Sequence, residues 1–174
     1  NLNWLYTDSR HRLWVVGRKG RIFRYDTARD RFVMTYKLSD LQDDVTSGTV
    51  NCTYMDSNDR IWLCHGDSIV RYDTRAGTTD RIDSPAPDDI TAITQTDSTN
   101  FFIGTSNGLL QTIEEEGVLE TVAGAYTDSI RIPVSELYFH EDSKQLFIGT
   151  FKEGIIAYGM NTTSTIIADG PLQN

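Results

Sequence analysis

Short apolar runs separated by polar turns recur along the whole chain. Three of them, at 13–16, 61–64 and 146–148, are apolar at consecutive positions rather than at alternate ones. Neighbouring side chains of a strand point to opposite faces of its sheet, so a continuous apolar run predicts a strand that is buried on both faces. No stretch of useful length has the period of a helix. The pattern therefore predicts an all-β fold of sheets that are each covered on both sides.

An internal repeat organises these strands. Four segments each begin with an Asp-Ser pair, and an aromatic residue follows the Asp by five or six positions; these aromatic anchors are Trp14, Trp62, Phe102 and Phe147. The anchors are 48, 40 and 45 residues apart. Such a period with strand-like content is typical of a propeller blade, which buries its faces only by stacking on its neighbours. We predict four β-propeller blades of four antiparallel strands each, at 1–46, 47–88, 89–131 and 132–172.

The second repeat predicts a strand register. If the turn at 56–60 closes a hairpin, Tyr54 lies opposite Trp62 and Cys52 lies opposite Cys64. Opposed positions of an antiparallel pair have Cα atoms about 4.5–5.5 Å apart, within the range of a disulfide. The two cysteines therefore either form a bridge in an oxidising compartment or stay reduced as small buried hydrophobes.

Composition excludes some classes of protein. With 39% hydrophobic and 10% aromatic residues, the chain can form a core, which argues against disorder. No apolar run approaches the roughly 18 residues that a membrane helix needs. The chain begins without a signal-like segment or an initiator Met, so we expect it to be an excised or processed piece.

The charge is unevenly distributed. The chain carries a net charge of −9, whereas its first 37 residues hold nine Lys or Arg against three Asp. An acidic chain overall argues against general nucleic-acid binding. The basic first repeat either attracts an acidic ligand, such as a uronate or a sulfated glycan, or forms a solvated surface.

The motifs resemble the two-component regulator propeller repeat over essentially the whole chain. Segments 146–150 (LFIGT) and 102–109 (FIGTSNGL) match the centre of that repeat, and segments 13–14 with 24–26 and 61–62 with 71–73 match its two ends. The departures from its pattern are Val16 and Cys64 in place of Gly, Ser68 in place of the later Gly, and Thr112 in place of Tyr.

This resemblance implies the periplasmic sensor region of a Bacteroidetes hybrid two-component system. The membrane-anchored parent protein would be a histidine kinase with a phosphorelay that controls polysaccharide utilisation. The resemblance further implies a seven-bladed propeller, of which four blades would be an incomplete part; a closed four-bladed ring is the alternative. The expected partners are a glycan fragment as ligand, the rest of the propeller and the other sensor domains, and a second copy in a homodimeric receptor. No nucleic acid is expected to bind this segment.

No catalytic, metal or cofactor site is predicted. The sequence lacks the H-E-x-x-H, G-x-S-x-G, Walker and EF-hand patterns. The three histidines, His11, His65 and His140, lie in different repeats and in different kinds of loop, which makes a shared metal site improbable. The Asp-Ser pairs are predicted to form Asx turns that close hairpins.

A ligand is expected on one face of the propeller, where the turns between second and third strands emerge together with the connections between blades. The candidate ligand residues in those turns are Arg18, Lys19, His65, Asp67, Ser106, Asn107, Phe151 and Lys152. Two other hypotheses remain open: a propeller-fold lyase, and a purely structural or dimerisation propeller.

Overall fold

The prediction of an all-β fold is confirmed. The computed structural model describes residues 2–40, 49–123, 129–159 and 162–166. The described residues form four antiparallel sheets of four strands, and within each sheet the strands are hydrogen-bonded in chain order. The described residues include the short 3-10 turn Leu38–Asp40 and no α-helix. Consecutive antiparallel sheets of four strands are typical of a propeller-like fold.

The strands of sheets 1 and 2 follow the first two repeats. Sheet 1 contains β1 (Leu2–Thr7), β2 (Leu13–Gly17), β3 (Arg21–Asp26) and β4 (Arg31–Lys37). Sheet 2 contains β5 (Cys52–Met55), β6 (Arg60–His65), β7 (Ser68–Asp73) and β8 (Thr79–Ile82).

The strands of sheets 3 and 4 follow the last two repeats. Sheet 3 contains β9 (Ile90–Gln95), β10 (Asn100–Thr105), β11 (Gly108–Glu115) and β12 (Val118–Thr121). Sheet 4 contains β13 (Val134–His140), β14 (Gln145–Thr150), β15 (Ile155–Gly159) and β16 (Thr162–Ile166). Of the predicted blade limits, those at 46/47 and 172 lie outside the described residues.

The chain divides into two compact units, Asn1–Ile82 with sheets 1 and 2, and Asp83–Asn174 with sheets 3 and 4. The core of the first unit joins Trp14 and Val16 of β2 to Ile61 and Leu63 of β6. The core of the second unit joins apolar residues of sheets 3 and 4: Ala92, Phe102, Leu109, Leu137, Leu146 and Ile148. Within each unit, two sheets therefore share one apolar layer.

The second strand of each sheet shows how far burial extends. Ile61, Trp62, Leu63 and Cys64 of β6 are all 0% exposed, so both faces of this strand are covered as predicted. In β14, by contrast, Leu146 and Ile148 are buried while Phe147 between them is half-buried. Sheet 4 is thus covered fully on the face toward the unit core and only partly on the other.

The predicted register of sheet 2 is confirmed, with Tyr54 opposite Trp62 and Cys52 opposite Cys64. Both cysteines are free and buried. In the described ranges, no helix combines the length and the apolar character that crossing a lipid bilayer requires.

Candidate functional site

The four turns between second and third strands carry the eight residues predicted to bind a ligand. They are Arg18 and Lys19 between β2 and β3, His65 and Asp67 around the β6–β7 turn, Ser106 and Asn107 between β10 and β11, and Phe151 and Lys152 between β14 and β15. All except the half-buried His65 are exposed. Whether they contact a ligand stays a prediction.

In the first unit, two of these turns share one edge. The amide of Val50, just before β5, donates to the carbonyl of Arg18 at 2.7 Å. The amide of the next residue, Asn51, donates to the carbonyl of Cys64 at 2.7 Å. The chain that enters sheet 2 is therefore held between the turn at Arg18 and the turn that follows Cys64.

The second unit has the same arrangement. The amide of Ser106 donates to the carbonyl of Asp89 at 2.9 Å, and the amide of Leu109 donates to the carbonyl of Ile130 at 3.2 Å. The amide of Phe151 donates to the carbonyl of Pro133 at 3.3 Å. Within each unit, the connections between repeats and the predicted ligand turns thus lie at one edge, which we call the turn edge of that unit.

A cavity of about 340 Å³ opens at the turn edge of the second unit. Its lining combines polar and apolar side chains from position 88, from 105–110, from 121–123 and from 130–131: Asp88, Thr105, Asn107, Leu109, Leu110, Thr121, Val122, Ala123, Ile130 and Arg131. Of the predicted ligand residues, only Asn107 lies in this lining. The turn at Phe151 and Lys152 does not contribute to it.

Local geometry fixes the wall of this cavity. The hydroxyl of Thr105 donates to the carbonyl of Gly108 at 3.1 Å and accepts from the amide of Asn107 at 3.1 Å. A Cβ on Gly108 would lie 2.4 Å from the carbonyl oxygen of Ile130, so the connection at Ile130 approaches the turn closely only because residue 108 is a glycine. The position of Asn107 is therefore set by the turn itself.

Two polar side chains in the cavity lining have no hydrogen-bond or ion-pair partner among the described residues. Neither the half-buried Asp88 carboxylate nor the Asn107 amide makes a side-chain hydrogen bond or ion pair with another residue in the part of the chain that the structure describes. Next to them, Leu109 and Ile130 supply buried apolar walls. A few convergent polar groups among apolar walls are typical of a small-ligand pocket.

The sequence analysis missed Asp88 and Arg131 as cavity residues. Both lie in the connections between repeats, which were predicted to emerge on the ligand face. Their place in these connections is the sequence signal for them.

The Asp-Ser turns at the opposite ends of the hairpins have a structural role. Oδ1 of Asp56 accepts from the amide of Asn58 at 2.9 Å, which is the predicted Asx turn. Oδ2 of the same buried carboxylate accepts from Nε of Arg60 at 2.6 Å and from the indole Nε1 of Trp62 at 2.8 Å. The aromatic anchor is thus tied to its own turn, a bond that the sequence analysis did not predict.

The first repeat has the same carboxylate–indole bond. Oδ2 of Asp8 accepts from Nε of Arg12 at 2.6 Å and from Nε1 of Trp14 at 2.9 Å. Burial raises the pKa of Asp8, but the hydrogen bonds from Trp14 and Arg12 outweigh burial and hold this pKa below its ordinary value. The sequence signal for this carboxylate–indole hydrogen bond is the spacing D-x-x-x-R-x-W, which occurs twice in the sequence.

A hydrogen-bonded latch joins sheets 1 and 2 beside these turns. The amide and the hydroxyl of Ser9 donate to the two carboxylate oxygens of Asp59 at 2.7 and 2.5 Å. Nη2 of Arg75 lies 2.7 Å from the same carboxylate. Burial raises the pKa of Asp59, but the bonds from Ser9 and the charge of Arg75 outweigh it and lower this pKa to about 2. The Ser9–Asp59–Arg75 latch therefore stabilises the first unit.

The three histidines are His11, His65 and His140. They lie at a turn of sheet 1, at the end of β6 and at the end of β13. Among the described residues, no group of three or more His, Cys, Asp or Glu is placed to hold a metal ion.

Comparisons with known proteins find solved structures with a similar fold. No family model matches the sequence, and no curated protein matches it. Among solved structures, it is similar to the extracellular domain of the putative one component system BT4673 from B. thetaiotaomicron, with a TM-score of 0.72 and 16% identity over 98% of this chain and 22% of that one.

Two further structures are similar. The extracellular domain of the putative hybrid two component system BT3049 from B. thetaiotaomicron has a TM-score of 0.69 and 15% identity over 98% of this chain and 22% of that one. Virginiamycin B lyase from Staphylococcus aureus has a TM-score of 0.69 and 14% identity over 96% of this chain and 55% of the lyase. At these identities the likeness shows the fold alone. The chain spans about a fifth of the length of the two extracellular domains.

Proposed function

We propose that this chain is a ligand-sensing, non-catalytic segment of the extracytoplasmic part of a hybrid two-component system. The observation that carries the proposal is the cavity at the turn edge of the second unit, with its uncommitted Asp88 and Asn107 side chains. The fold it shares with the extracellular domains of BT4673 and BT3049 supports the sensor context. The four copies of a repeat that resembles the two-component regulator propeller repeat support it independently.

The ligand proposed for the cavity is an oligosaccharide fragment. A volume of about 340 Å³ is near the lower end of the range of ligand pockets, roughly 300–1,000 Å³. The carboxylate accepts hydrogen bonds from sugar hydroxyls, and the carboxamide both accepts and donates them. Leu109 and Ile130 contact the apolar C–H face of a sugar ring. The proposed output is control of polysaccharide utilisation through a kinase and phosphorelay elsewhere in the parent protein.

Further blades of the same propeller are proposed to cover the outer face of sheet 4. In sheets 1 and 3 the aromatic anchors Trp14 and Phe102 point into the core that their sheet shares with the next one. The equivalent Phe147 points away from the core of its unit, beside Tyr138, which is 60% exposed. A seven-bladed ring places another blade on this face. The parent is proposed to be membrane-anchored, periplasmic at this segment and homodimeric.

Isothermal titration against a panel of plant and host oligosaccharides tests the ligand proposal. We expect one glycan class to bind, and the Asp88→Ala and Asn107→Ala variants to weaken its binding at least roughly tenfold, because each removes a group that hydrogen-bonds the sugar. Asn58→Ala, in an Asp-Ser turn outside the cavity, is the matched control and should bind normally. No binding by the complete extracytoplasmic region, or equal binding by all variants, argues against the proposal.

A lyase is the second candidate function, favoured by the similar fold of virginiamycin B lyase. Incubation with virginiamycin B, followed by mass spectrometry of the antibiotic, tests it. Cleavage that Asp88→Asn abolishes would support a catalytic cavity and displace the sensor proposal.

A further inference from the structure

The two cysteines of the chain lie directly opposite each other. Cys52 on β5 pairs with Cys64 on β6, and the next pairs along the same ladder are Thr53 with Leu63 and Tyr54 with Trp62. Side chains of directly opposed residues in an antiparallel pair point to the same face of the sheet. Opposed residues of antiparallel strands have Cα atoms about 4.5–5.5 Å apart, which falls within the range that a disulfide spans.

The backbone around the pair is held in place. The amide of Asn51, the residue before Cys52, donates to the carbonyl of Cys64 at 2.7 Å, so the chain is bonded to β6 on this side of Cys52 as well. Trp62, two residues from Cys64 along β6, is itself anchored by its bond to Asp56. Both cysteines are therefore fixed at their opposed positions by contacts that do not depend on the sulfur atoms.

The two thiols are shielded from solvent once the sheet has formed. Cys52 is 7% exposed and Cys64 is 0% exposed. Burial raises the pKa of Cys64 well above its usual range, and the neighbouring Cys52 thiol raises it further. Because the thiolate is the nucleophile in disulfide exchange, the folded, reduced pair reacts slowly. A bond between these cysteines must form while the chain is still folding.

We propose that Cys52 and Cys64 form a cross-strand disulfide when the chain folds in an oxidising compartment. The proposal rests on the extracytoplasmic location in the proposed function. One cysteine thiolate attacks the disulfide of a thiol–disulfide oxidoreductase, and a mixed disulfide forms as a thiolate of that enzyme leaves. The second cysteine then displaces the enzyme. The chain loses two protons and two electrons, and the oxidoreductase is released as a dithiol.

The disulfide would fix one part of the turn edge of the first unit. Cys64 is followed by the His65–Asp67 turn. Cys52 lies two residues after Val50, whose amide donates to the carbonyl of Arg18. A covalent link between the two strands at this point secures the chain between two of the predicted ligand turns. The pair is thus placed to stiffen the turn edge of the first unit.

The first experiment tests the geometry independently of cellular location. The chain is unfolded, reduced and refolded in a buffer with reduced and oxidised glutathione, then denatured and alkylated with iodoacetamide. We expect no alkylated cysteine, a mass lower by the two hydrogen atoms lost, and a peptide pair that links positions 52 and 64. We also expect Tm to exceed that of the reduced protein by roughly 5 °C. Two alkylated cysteines after refolding would overturn the proposal.

The second experiment tests the compartment. The parent protein is taken from the cell envelope of its natural host, denatured in the presence of iodoacetamide and digested, and the cysteine peptides are measured. Bridged peptides support the proposal. Alkylated peptides overturn it, and together with a bridge in the glutathione experiment they identify the proposed location, not the geometry, as the error. Cys52→Ala is the control, because its one remaining thiol cannot form the internal bridge and no linked 52–64 peptide should be found in any preparation.

Discussion

At the scale of single residues, the Asp of the repeat has two different roles. Asp8 and Asp56 are buried and bind the indole of a Trp. Asp97 is exposed and accepts hydrogen bonds from Asn100, in a repeat where Phe102 replaces the Trp. A phenyl ring has no donor to offer, so its turn carboxylate has no reason to be buried. Burial of the Asp therefore follows the presence of the indole.

This difference predicts unequal costs for the same substitution. Asp56→Ala leaves Arg60, Trp62 and two backbone amides without their acceptor and should lower the free energy of unfolding by roughly 3–5 kcal/mol. Asp97→Ala, one position further along its turn than Asp56, should cost about 1 kcal/mol or less, because the Asp97 side chain is exposed. Urea denaturation of both variants checks this, with Asp56→Asn as an intermediate case. Equal losses contradict the proposed role of the indole bond.

The latch carboxylate predicts a loss of stability in acid. The pKa of Asp59 is about 2 in the folded protein, below the roughly 3.9 of an unfolded Asp. The ionised Asp59 therefore adds about 2 kcal/mol to the free energy of unfolding above about pH 4. This stabilisation is lost as the pH falls toward 2. Chemical denaturation between pH 5 and pH 2 should show a steeper decline for the natural protein than for Asp59→Asn. If the stability of the two proteins declined in parallel with pH, the Asp59 carboxylate would not stabilise the folded protein through the latch.

At the scale of elements, the distance between two sheets is set by a glycine. Gly104 of β10 and Gly149 of β14 occupy the same place in the repeat sequence FIGT. A Cβ at Gly104 would lie 2.5 Å from Cγ1 of the buried Val134, across the layer between sheets 3 and 4. At Gly149 the nearest atom would be Oγ of Ser135, at 3.0 Å. Only Gly104 is therefore needed for close packing of two sheets.

Gly104→Ala should consequently destabilise the second unit by roughly 1–3 kcal/mol, through overpacking. Gly149→Ala, the matched control, should change the stability by less than about 1 kcal/mol. Adding Val134→Ala to Gly104→Ala should cost less than the sum of the two single changes, because the second change relieves the clash. Thermal or urea unfolding of the four variants measures these values; additive losses would show that Val134 is not the obstacle.

The elements also show what the sequence could predict. The register of Tyr54 with Trp62 followed from one short turn, because a hairpin turn fixes the pairing of its strands. The cavity did not follow, since Asp88, Asn107 and Arg131 are far apart in sequence and no period relates them. The latch was also missed, because it joins two repeats through three polar side chains that are ordinary surface types. The register of a hairpin can be predicted from the sequence of its turn. A contact between repeats can be found only once the packing of one sheet on the next is known.

At the scale of the whole molecule, one sheet presents an apolar face to solvent. Tyr138 and Ile155 are 60% and 45% exposed. They lie on the same side of sheet 4 as Phe147, which pairs with Tyr138 and has its ring 6.4 Å from it. Large exposed apolar residues that cluster on a sheet indicate a surface that another structure covers. This agrees with a chain that spans about a fifth of the extracellular domains it resembles.

Replacing this face with charge should therefore remove a dye-binding surface without loss of stability. We expect Tyr138→Lys with Ile155→Lys to reduce the fluorescence of the hydrophobic dye ANS severalfold and to leave the Tm within a few degrees of its natural value. Val118→Lys, at an exposed apolar residue of sheet 3, is the control for added charge. Unchanged dye binding in the double variant would contradict the assignment of this face.

The Ser9–Asp59–Arg75 latch limits how this chain can be rearranged. Ser9 comes from the first repeat, whereas Asp59 and Arg75 come from the second. A recombination that exchanged either repeat for another would break the hydrogen bonds between Ser9 and the Asp59 carboxylate, because their two partners come from different repeats. The first two repeats are therefore expected to be inherited and transplanted only as a pair.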